Sequence, residues 1–523
     1  MSTGADAVAS ALRDAGVEVA FGLPGVHNLA LWPAFERAGI RIVGARHEQG
    51  CAYAADGYAR ATGKLGVALV TTGPGAANTL GAVGEAWASH SPVLVIATDI
   101  PSTLRRDGVY RGVLHETTDQ AALFAPVTKL RTRQLSEAIA VAQEPPAGPV
   151  YVEVPTDALG AAAPPPGVRM SGGVLRPEPA PIPASLPRRP LVWVGGGAKD
   201  AGDSVDAIAR RLGAPVVTTY SARGVLPAGH PHLVPAPPHE PEVTKLVEQA
   251  DCTIVIGSDL DYMNTMAWQL PLPAPRIAIN IDPVDATKNY DFAQVIHIDA
   301  IDASDTVRHI ERREPWFGDL AALGTAIRDR LRAAPETAPA VEFLERTEAS
   351  LGTSDSPIMF ADMCIAGYWL AGHLAVTRSR GLHYPMGWGT LGWAFPAGVG
   401  AAAGGTPTVC IVGDGGMLFA IGELAAVAQE QLPLTVVVVD DGGYGMLRFG
   451  HEHEANGSDL SPVDFVTVAR GFGVEAVAID GFGPEYGDAL AAAVAARAPR
   501  LLHVRAQLYP PVTTSPRWPI RST

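Results

Sequence analysis

The chain has 523 residues, of which 47% are hydrophobic and 18% charged, and its formal net charge is −15 at pH 7. This length allows three domains of ordinary size, and the acidic balance without a basic stripe argues against a nucleic-acid partner. No apolar run reaches membrane-spanning length, and an acidic first helix is not expected of a signal peptide. Four widely separated cysteines, Cys51, Cys252, Cys364 and Cys410, favour reduced thiols in a cytoplasmic protein over a metal cluster.

The first part of the chain, residues 1–160, is predicted to be an α/β domain. A helix over 3–15 comes first, and short apolar runs bounded by glycine-rich turns then predict buried strands. These runs cover 17–21, 41–45, 67–71, 93–97 and 150–154. Residues 161–190 are rich in proline, which cannot sustain a helix or a central strand, so they are predicted to be a linker.

A second α/β domain is predicted over 191–310, with strands at 191–194, 253–257 and 277–282. Its turn at 195–200 reads Gly-Gly-Gly-Ala-Lys-Asp, and Asp200 stands where the dinucleotide fingerprint needs its third glycine. A nicotinamide-dependent dehydrogenase is therefore set aside. Residues 311–356 are polar and rich in Ala, Glu and Arg, which predicts a connector.

The third domain is predicted over 357–523 and contains the most informative stretch of the chain. Apolar runs at 409–412 and 434–439 flank a helix predicted over 420–431, which makes one β-α-β unit. Asp414 and Asp441 then fall at the carboxyl ends of two parallel strands, where open α/β sheets bind ligands. Gly413, Gly415 and Gly416 are expected to allow a sharp turn and close approach to a ligand. The whole chain predicts an α/β fold of three doubly wound parallel-sheet domains.

This stretch resembles the thiamine diphosphate motif of the acetolactate synthase and 2-oxo-acid decarboxylase group. That motif is Gly-Asp-Gly with an Asn about 27 residues after the Asp, where this chain has Asp441 instead. The resemblance implies that the Asp414 and Asp441 side chains and the Gly443 carbonyl bind Mg²⁺, a cation that prefers oxygen ligands. Two carboxylates about 4 Å apart repel by about 4 kcal/mol, but a divalent cation about 2 Å away attracts each several-fold more strongly. We therefore expect metal binding to survive the substitution.

Glu48 lies in a second segment that resembles the same family. The stretch from His47 to Arg60 is similar to the family pattern HEQG-x-x-x-x-A-[DE]-GYAR. The resemblance implies that Glu48 protonates the pyrimidine ring of the cofactor and so promotes formation of the reactive carbanion. Burial would raise the pKa of such an acid and keep its proton available. A helix-capping or surface role for Glu48 is the alternative.

Two glycine-rich turns add to the resemblance. The segment from Tyr384 to Gly392 is similar to the family's G-x-G-T-[LM]-G, which implies that the Gly389 carbonyl accepts from the cofactor's amino group and that Leu391 separates its two rings. Gly73 to Asn78 is similar to a TTGPG-x-x-N turn that faces the cofactor across a subunit boundary. Ordinary glycine-rich turns are the alternative for both. The cofactor-binding residues implied in all are Gly73, Asn78, Gly389, Thr390, Leu391, Gly413, Asp414, Gly415, Gly416, Asp441, Gly443, Tyr444, Gly445 and Met446.

The substrate side lacks features of the pyruvate decarboxylases. Val26 stands where those enzymes carry an acid, and their adjacent His-His pair is missing. The surrounding segments resemble the guanidino-oxo-acid decarboxylase branch instead. Candidate substrate contacts are Val26, His27, Asn28, His115, Glu116, Gln120 and Arg448, for which solvated or supporting roles stay open. Residues 451–462 are polar and predict a mobile loop over the site; their His and Glu have only a generic metal spacing.

The resemblance implies a pyrimidine-binding, a middle and a diphosphate-binding domain, in that order. It also implies decarboxylation of a 2-oxo acid that depends on thiamine diphosphate and Mg²⁺, through a carbanion and an enamine that is protonated or transferred to an acceptor. The alternatives are an acetolactate synthase-type carboligase and, in another class, a non-catalytic binding or regulatory protein of the same fold. FAD stays open as a ligand of the middle domain, although no motif there supports it.

The family assembles its sites from two chains, which implies a homodimer at least and by resemblance a homotetramer. The small-residue segments at 50–61 and 392–403 are predicted to be interface surfaces, because Gly and Ala allow helices to approach closely. Packing of the same helices inside one chain is the alternative.

Overall fold

The computed structural model describes residues 2–162, 180–352, 356–449 and 456–514. Their strands form three sheets, and every strand pairing inside these sheets is parallel. Helices cover the faces of each sheet, so the predicted fold class is confirmed. The strands read as continuous apolar runs because both faces of a parallel sheet are buried.

The first sheet has six strands in the order β2-β1-β3-β4-β6-β5. The doubly wound order places the ends of β1, β2, β3 and β4 along one carboxyl edge. Its strands are β1 (Val19–Gly22), β2 (Arg41–Gly44), β3 (Gly66–Val70), β4 (Val93–Asp99), β5 (Leu130–Thr132) and β6 (Val150–Pro155). Its helices are α1 (Gly4–Asp14), α2 (Leu31–Ala38), α3 (Glu48–Thr62), α4 (Pro74–Ala77), α5 (Leu80–Ala88), α6 (Leu135–Gln143) and α7 (Thr156–Gly160).

The second sheet has five strands in the order β11-β10-β9-β7-β8. They are β7 (Pro190–Val194), β8 (Val216–Thr218), β9 (Cys252–Ile256), β10 (Arg276–Asn280) and β11 (Gln294–His297), with α8 (Gly202–Leu212), α9 (Pro241–Gln249) and α10 (Pro283–Thr287). The predicted connector contains two helices, α11 (Leu320–Ala333) and α12 (Ala338–Leu351). Their buried side chains, such as Leu331 and Phe343, explain why this polar segment folds: it is amphipathic.

The third sheet has six strands in the order β13-β12-β14-β15-β17-β16. They are β12 (Ile358–Ala361), β13 (Leu382–His383), β14 (Thr408–Gly413), β15 (Leu434–Asp440), β16 (Glu475–Asp480) and β17 (Arg500–Arg505). The helices are α13 (Ile365–His373), α14 (Ala394–Ala403), α15 (Asp414–Ala420), α16 (Leu424–Glu430), α17 (Phe465–Gly471) and α18 (Pro484–Ala496).

The glycines after β14 do not form the sharp turn that the sequence suggested. Gly413 is extended, with φ −77° and ψ 159°, and Gly415 and Gly416 already belong to α15. What these two positions require is space. A Cβ on Gly415 would lie 2.6 Å from the Tyr444 ring, and one on Gly416 would collide with the Asp362 carboxylate. The glycines therefore serve close packing and leave the helix to begin at Asp414 itself.

The small-residue helices α3 and α14 pack against each other within one chain, so their prediction as interface surfaces was wrong. A Cβ on Gly57 would collide with the Ala397 carbonyl, and one on Gly400 would collide with the Ala54 carbonyl. Along this contact the Asp56 carboxylate accepts from the Trp393 indole at 2.8 Å. Arg60, paired with Asp56, lies 4.6 Å from the centre of the same ring. The first and third domains are joined here.

Replacing Gly57 with alanine is expected to destabilise the protein by about 1–3 kcal/mol, the usual cost of forcing extra atoms into a packed core. Gly471→Ala is the matched control, because it also lies in a helix and a Cβ there meets nothing within 4 Å. The midpoint of thermal unfolding should fall for the first variant and stay level or rise for the second. Equal midpoints would contradict the tight α3–α14 contact.

Candidate active site

A cavity of about 230 Å³ lies at the carboxyl edge of the third sheet. Asp414 begins α15 directly after β14, and Asp441 follows the neighbouring strand β15. The two carboxylates are part of the polar lining of the cavity, and Met446 and Leu508 are part of its apolar lining. Of the predicted cofactor residues, Leu391, Gly413, Asp414, Gly415, Gly416, Asp441, Gly443, Tyr444, Gly445 and Met446 line this cavity.

The carboxylates of Asp414 and Asp441 favour the binding of a cation. Asp414 is 5% exposed, and its Oδ1 atom is buried without a hydrogen-bond partner. Burial first, and the neighbouring Asp441 second, raise the pKa of Asp414 to about 7. Burial also raises the pKa of Asp441, although Arg448 opposes this. Two such acids with an unpaired oxygen fit an oxygen-ligated divalent cation, as the sequence predicted.

Arg448 holds the loop that contains Asp441 and Gly443. Its guanidinium donates to the Asp441 and Gly442 carbonyls at 2.9 Å each, and to the Asp459 carboxylate at 2.9 Å. Arg448, a candidate substrate contact from the sequence, is therefore already engaged in hydrogen bonds with this loop. On the other side, the Asp440 carboxylate contacts His503 at 2.7 Å and accepts from the Gly442 amide at 3.0 Å.

Asp362 supports the Leu391 segment and was missed by sequence analysis. Its fully buried carboxylate accepts from the amides of Gly392 at 2.9 Å and Trp393 at 3.0 Å. Burial raises the pKa of Asp362 to about 6. The residue follows β12 and its partners are some thirty positions away, so no local motif marks it. Gly389 and Thr390 lie in the same segment but outside the cavity lining.

Glu423 is a second supporting acid that sequence analysis missed. It is 3% exposed, and its Oε1 atom accepts from the Arg46 amide at 3.0 Å, directly before the segment that contains Glu48. A Cβ on Gly50 would collide with the same carboxylate. The third domain thus positions the start of α3, and burial raises the pKa of Glu423 to about 7.

Glu423→Gln should change how stability depends on pH. Because the folded pKa of about 7 exceeds the ordinary 4.5, the folded state retains a proton that the unfolded chain has lost between these values. Stability therefore falls as pH rises through this window, by roughly 1–3 kcal/mol, and stays low above it. Glutamine keeps the acceptor without the charge, so the variant should gain on the wild type above pH 7 and lose that gain near pH 4.5. Thermal unfolding of both proteins between pH 4.5 and pH 8 tests this prediction, with Glu36→Gln at an exposed glutamate as the control. An equal gain in stability at the two ends of the range would contradict it.

Glu48 begins α3, at the carboxyl edge of the first sheet. Its Oε2 atom accepts from the Asn78 side chain at 3.0 Å, and a Cβ on Gly75 would lie 3.4 Å from its Oε1 atom. The Gly73 amide donates to the buried Gln120 side chain. Glu48 is half-buried in the single chain. Across the described residues, no part of the first domain lines the cavity, so one chain does not bring Glu48 to Asp414.

The substrate candidates of the first domain divide into two groups. Asn28 is 1% exposed and bonds its own turn, accepting from the Gly25 amide at 2.8 Å. Gln120 donates to Tyr151 at 2.7 Å, and Glu116 accepts from the Val113 amide at 3.0 Å. These three side chains hold loops in place. The others are Val26, which is 79% exposed, and His27 and His115, whose rings meet.

Three family models match the chain in the order of its sheets. They are the N-terminal thiamine pyrophosphate binding domain over residues 2–123, the central domain over 186–311 and the C-terminal thiamine pyrophosphate binding domain over 362–504. The chain is also 34% identical, over 90% of its length and 88% of the relative's, to a probable 2-ketoarginine decarboxylase of Pseudomonas aeruginosa. The chain belongs to the thiamine pyrophosphate enzyme family.

Other members of this family match over similar lengths. The large subunit of acetolactate synthase from Parasynechococcus marenigrum is 30% identical, over 96% of this chain and 88% of its own. In structure, a thiamine diphosphate-dependent 4-hydroxybenzoylformate decarboxylase of Rhodococcus jostii superposes with a TM-score of 0.79. That comparison covers 97% of this chain and 99% of the other at 23% identity, so it confirms the fold of this family member.

Several expectations concern other sites. Within the described ranges, no group of three or more His, Cys, Asp or Glu side chains could hold a metal, and no helix could cross a membrane. The predicted loop over the site lies partly outside the described residues, at 451–455, as does most of the linker, at 163–179.

The Gly195–Gly197 turn packs against Gly257, where a Cβ on Gly197 would lie 3.1 Å from the Gly257 carbonyl oxygen. Protein atoms occupy the space beside this turn, so the turn does not support FAD binding in the middle domain.

Proposed function

We propose that the protein decarboxylates a 2-oxo acid with thiamine diphosphate and Mg²⁺. The observation that supports this most is the buried, unpaired Oδ1 atom of Asp414, near Asp441, in a cavity that apolar side chains also line. An oxygen-rich pair at the end of two strands suits Mg²⁺ and the diphosphate that it binds. The activities named for the relatives support the reaction class, because they include two decarboxylases and acetolactate synthases.

The residues present fit this cofactor. Asp414, Asp441 and the Gly443 carbonyl would hold the metal, and Leu391 with Met446 would contact the organic rings. Both 415 and 416 need glycine, because a side chain there would collide with the Tyr444 ring or the Asp362 carboxylate, two residues that also line the cavity. Asp362 and Arg448 would keep the two binding segments in place through backbone hydrogen bonds. The aspartate at 441 keeps an oxygen ligand where the family has an amide, at the cost of one more negative charge.

When bound, thiamine diphosphate would supply a nucleophilic carbon that attacks the ketone and a cationic ring that accepts the electron pair left behind by CO₂. Glu48 would exchange a proton with the pyrimidine ring, and Asn78 would orient the Glu48 carboxylate through the bond seen here. The Gly73–Asn78 turn would close the same face. The apolar side chains that line the cavity would exclude water and favour loss of a charged group.

Carboligation of the acetolactate synthase type is the second candidate function. It shares every step up to the loss of CO₂ and differs in the acceptor that follows. A non-catalytic binding role is disfavoured by Glu48, which keeps its Asn78 partner at the start of α3.

The cysteines Cys51, Cys252, Cys364 and Cys410 are free, which supports a cytoplasmic location.

We further propose that the site forms between two chains. Glu48 and Asp414 lie on different sheets, and the cavity around Asp414 is lined only from Asp362 onward among the described residues. A homodimer with twofold symmetry would place two equivalent sites, each with Glu48 from one chain and Asp414 from the other. Exposed apolar side chains near these segments, such as Trp388 and Phe419, support a buried contact in the assembly. A homotetramer would be a pair of such dimers.

The proposed function is tested by incubating the protein with thiamine diphosphate, Mg²⁺ and a panel of 2-oxo acids of aliphatic, aromatic and guanidino type. CO₂, aldehydes and acyloins are measured together. CO₂ release that requires both the cofactor and Mg²⁺ is expected, with aldehyde as the main product of decarboxylation and acyloin as that of carboligation. No CO₂ from any acid would overturn the proposal.

A further inference from the structure

Glu85 is a fully buried carboxylate that the proposed mechanism does not use. It lies in α5 and is 0% exposed. Its Oε1 atom accepts from Arg60 at 2.9 Å and from the Ser89 hydroxyl at 3.1 Å. Its Oε2 atom accepts from the Trp388 amide at 3.3 Å. A carboxylate of the first domain therefore holds a backbone group of the third domain within one chain.

The Trp388 amide belongs to the segment 384–392, which contains neither helix nor strand. Gly389 and Gly392 both have φ 74°, a left-handed conformation, and glycine gives the backbone little stiffness of its own. Leu391 of this segment lines the cavity that contains Asp414. The position in which Leu391 meets a ligand therefore depends on the contacts that hold the segment.

Buried charged side chains hold this segment at both ends and in the middle. At one end Arg60 donates to the Tyr384 carbonyl at 3.4 Å. At the other end Asp362 accepts from the Gly392 amide at 2.9 Å. The contact of Glu85 lies between them, directly before the flexible stretch that contains Leu391. Glu85 is thus the support nearest to the part of the segment that both glycines leave soft.

Helix α5 fits closely against the segment. A Cβ on Gly84 would lie 2.8 Å from the Trp388 ring, and one on Gly387 would lie 2.5 Å from the Ala88 Cβ atom. Glycine at these two positions lets the helix and the segment approach until the Glu85 side chain reaches the Trp388 amide.

Both oxygens of Glu85 are required by its neighbours. Asp56 and Glu85 pair with the same guanidinium, that of Arg60, at 2.8 Å and 2.9 Å. Burial raises the pKa of Glu85, Arg60 opposes this, and Asp56 adds to it. The pair with Arg60 engages one oxygen of Glu85 and leaves the other for the backbone amide. A carboxylate can serve both partners, whereas an amide side chain of the same shape has only one acceptor oxygen.

We propose that Glu85 is a positioning residue for the organic rings of the cofactor, because its bond to the Trp388 amide fixes the segment that carries Leu391. This rests on the proposed function, in which Asp414 and Asp441 hold the metal with the diphosphate and Leu391 contacts the rings. A segment that is ordered before binding costs less free energy to bind than one that the ligand must order. Loss of Glu85 should therefore weaken binding of the whole cofactor but not of its diphosphate part.

The test uses Glu85→Gln in the full chain, with calorimetric titration of thiamine diphosphate and, separately, of inorganic pyrophosphate, both with Mg²⁺. The one oxygen of glutamine should stay with Arg60, because a charge-assisted hydrogen bond is the stronger of the two. Its NH₂ group then faces the Trp388 amide, donor against donor, and the segment is released. A buried amide without an acceptor corresponds to roughly a tenfold to hundredfold loss, so affinity for thiamine diphosphate should fall by about that factor. Affinity for pyrophosphate should stay unchanged.

Ser89→Ala is the matched control, because it removes another partner of the Glu85 carboxylate and leaves the bonds to Arg60 and Trp388 in place. It should change neither affinity. Glu85→Asp takes the place of Glu85→Gln if the latter does not fold. Aspartate keeps the charge but is one methylene shorter. The flexible Arg60 side chain can follow it, whereas the Trp388 amide cannot, so this variant should show the same selective loss.

The comparison of the two ligands decides the role of Glu85. A fall in affinity for thiamine diphosphate alone supports Glu85 as a positioning residue. Unchanged affinity for the whole cofactor, an equal fall for both ligands, or the same fall in Ser89→Ala overturns it, while release of CO₂ by the wild type still upholds the proposed function. If the wild type binds no thiamine diphosphate, the proposed function fails and the role of Glu85 fails with it.

Discussion

Glu48→Gln is expected to abolish turnover while the protein still folds and binds thiamine diphosphate. The loss should reach at least the roughly 10²–10⁴-fold typical of a general acid–base group. Glutamine keeps the shape and can still contact Asn78, but it cannot exchange a proton with the cofactor. The measurement is the rate of hydrogen–deuterium exchange at C2 of the bound cofactor, followed by magnetic resonance alongside CO₂ release.

Glu248→Gln is the matched control, because this glutamate is exposed and lies in the middle domain. It should leave exchange and turnover unchanged. Cofactor affinity of the Glu48 variant, measured by calorimetry, should stay close to that of the wild type. A Glu48→Gln protein with near wild-type C2 exchange would show that another group supplies the proton.

Asp414→Ala is expected to lose cofactor binding, whereas Asp441→Asn should retain it. Asp414 has a buried oxygen without a partner, and removing this ligand should weaken binding of the cofactor with Mg²⁺ by at least roughly a hundredfold. Asn at 441 keeps a ligand oxygen and removes one negative charge beside the diphosphate, so affinity should hold or improve. Calorimetric titration with the cofactor and Mg²⁺ compares the two variants directly.

The same pair sets the pH dependence of binding. The proposed metal would need the Asp414 carboxylate in its ionised form, and the pKa of Asp414 is raised to about 7, so affinity should fall as pH decreases through 7. Because Asp441 is the second cause of that shift, Asp441→Asn should move the fall to lower pH. Loss of all metal in Asp441→Asn with retention in Asp414→Ala would contradict this assignment.

Much of the fold could be read from the sequence because the strands are continuous apolar runs. The runs at 409–412 and 434–439 correspond to β14 and β15, and the acids that follow them line the cavity as expected. The Glu48 motif also has a structural basis beyond its chemistry. Asp56 and Arg60, which belong to this motif, form the buried contacts that fix α3 on the third domain.

The supporting residues could not be found in this way. Asp362 bonds amides 30 positions away, and Glu423 bonds an amide 377 positions away, so neither has a local pattern. Both look like ordinary acids until the fold brings their partners to them. The small residues of α3 and α14 led to the wrong prediction of an interface for a related reason. Closely packed helices are rich in Gly and Ala whether they lie within one chain or between two chains.

We propose that Glu48 of one chain and Asp414 of another complete one site, and complementation tests this arrangement most directly. Glu48→Gln and Asp414→Ala chains are each expected to be inactive alone. When the two are co-expressed and the mixed dimer is purified by two tags, one of its sites combines the intact Glu48 with the intact Asp414. This mixed dimer is expected to release CO₂ at up to about half the wild-type rate, as one of two equivalent sites would. A mixed dimer as inactive as its parents, although correctly assembled, would contradict it.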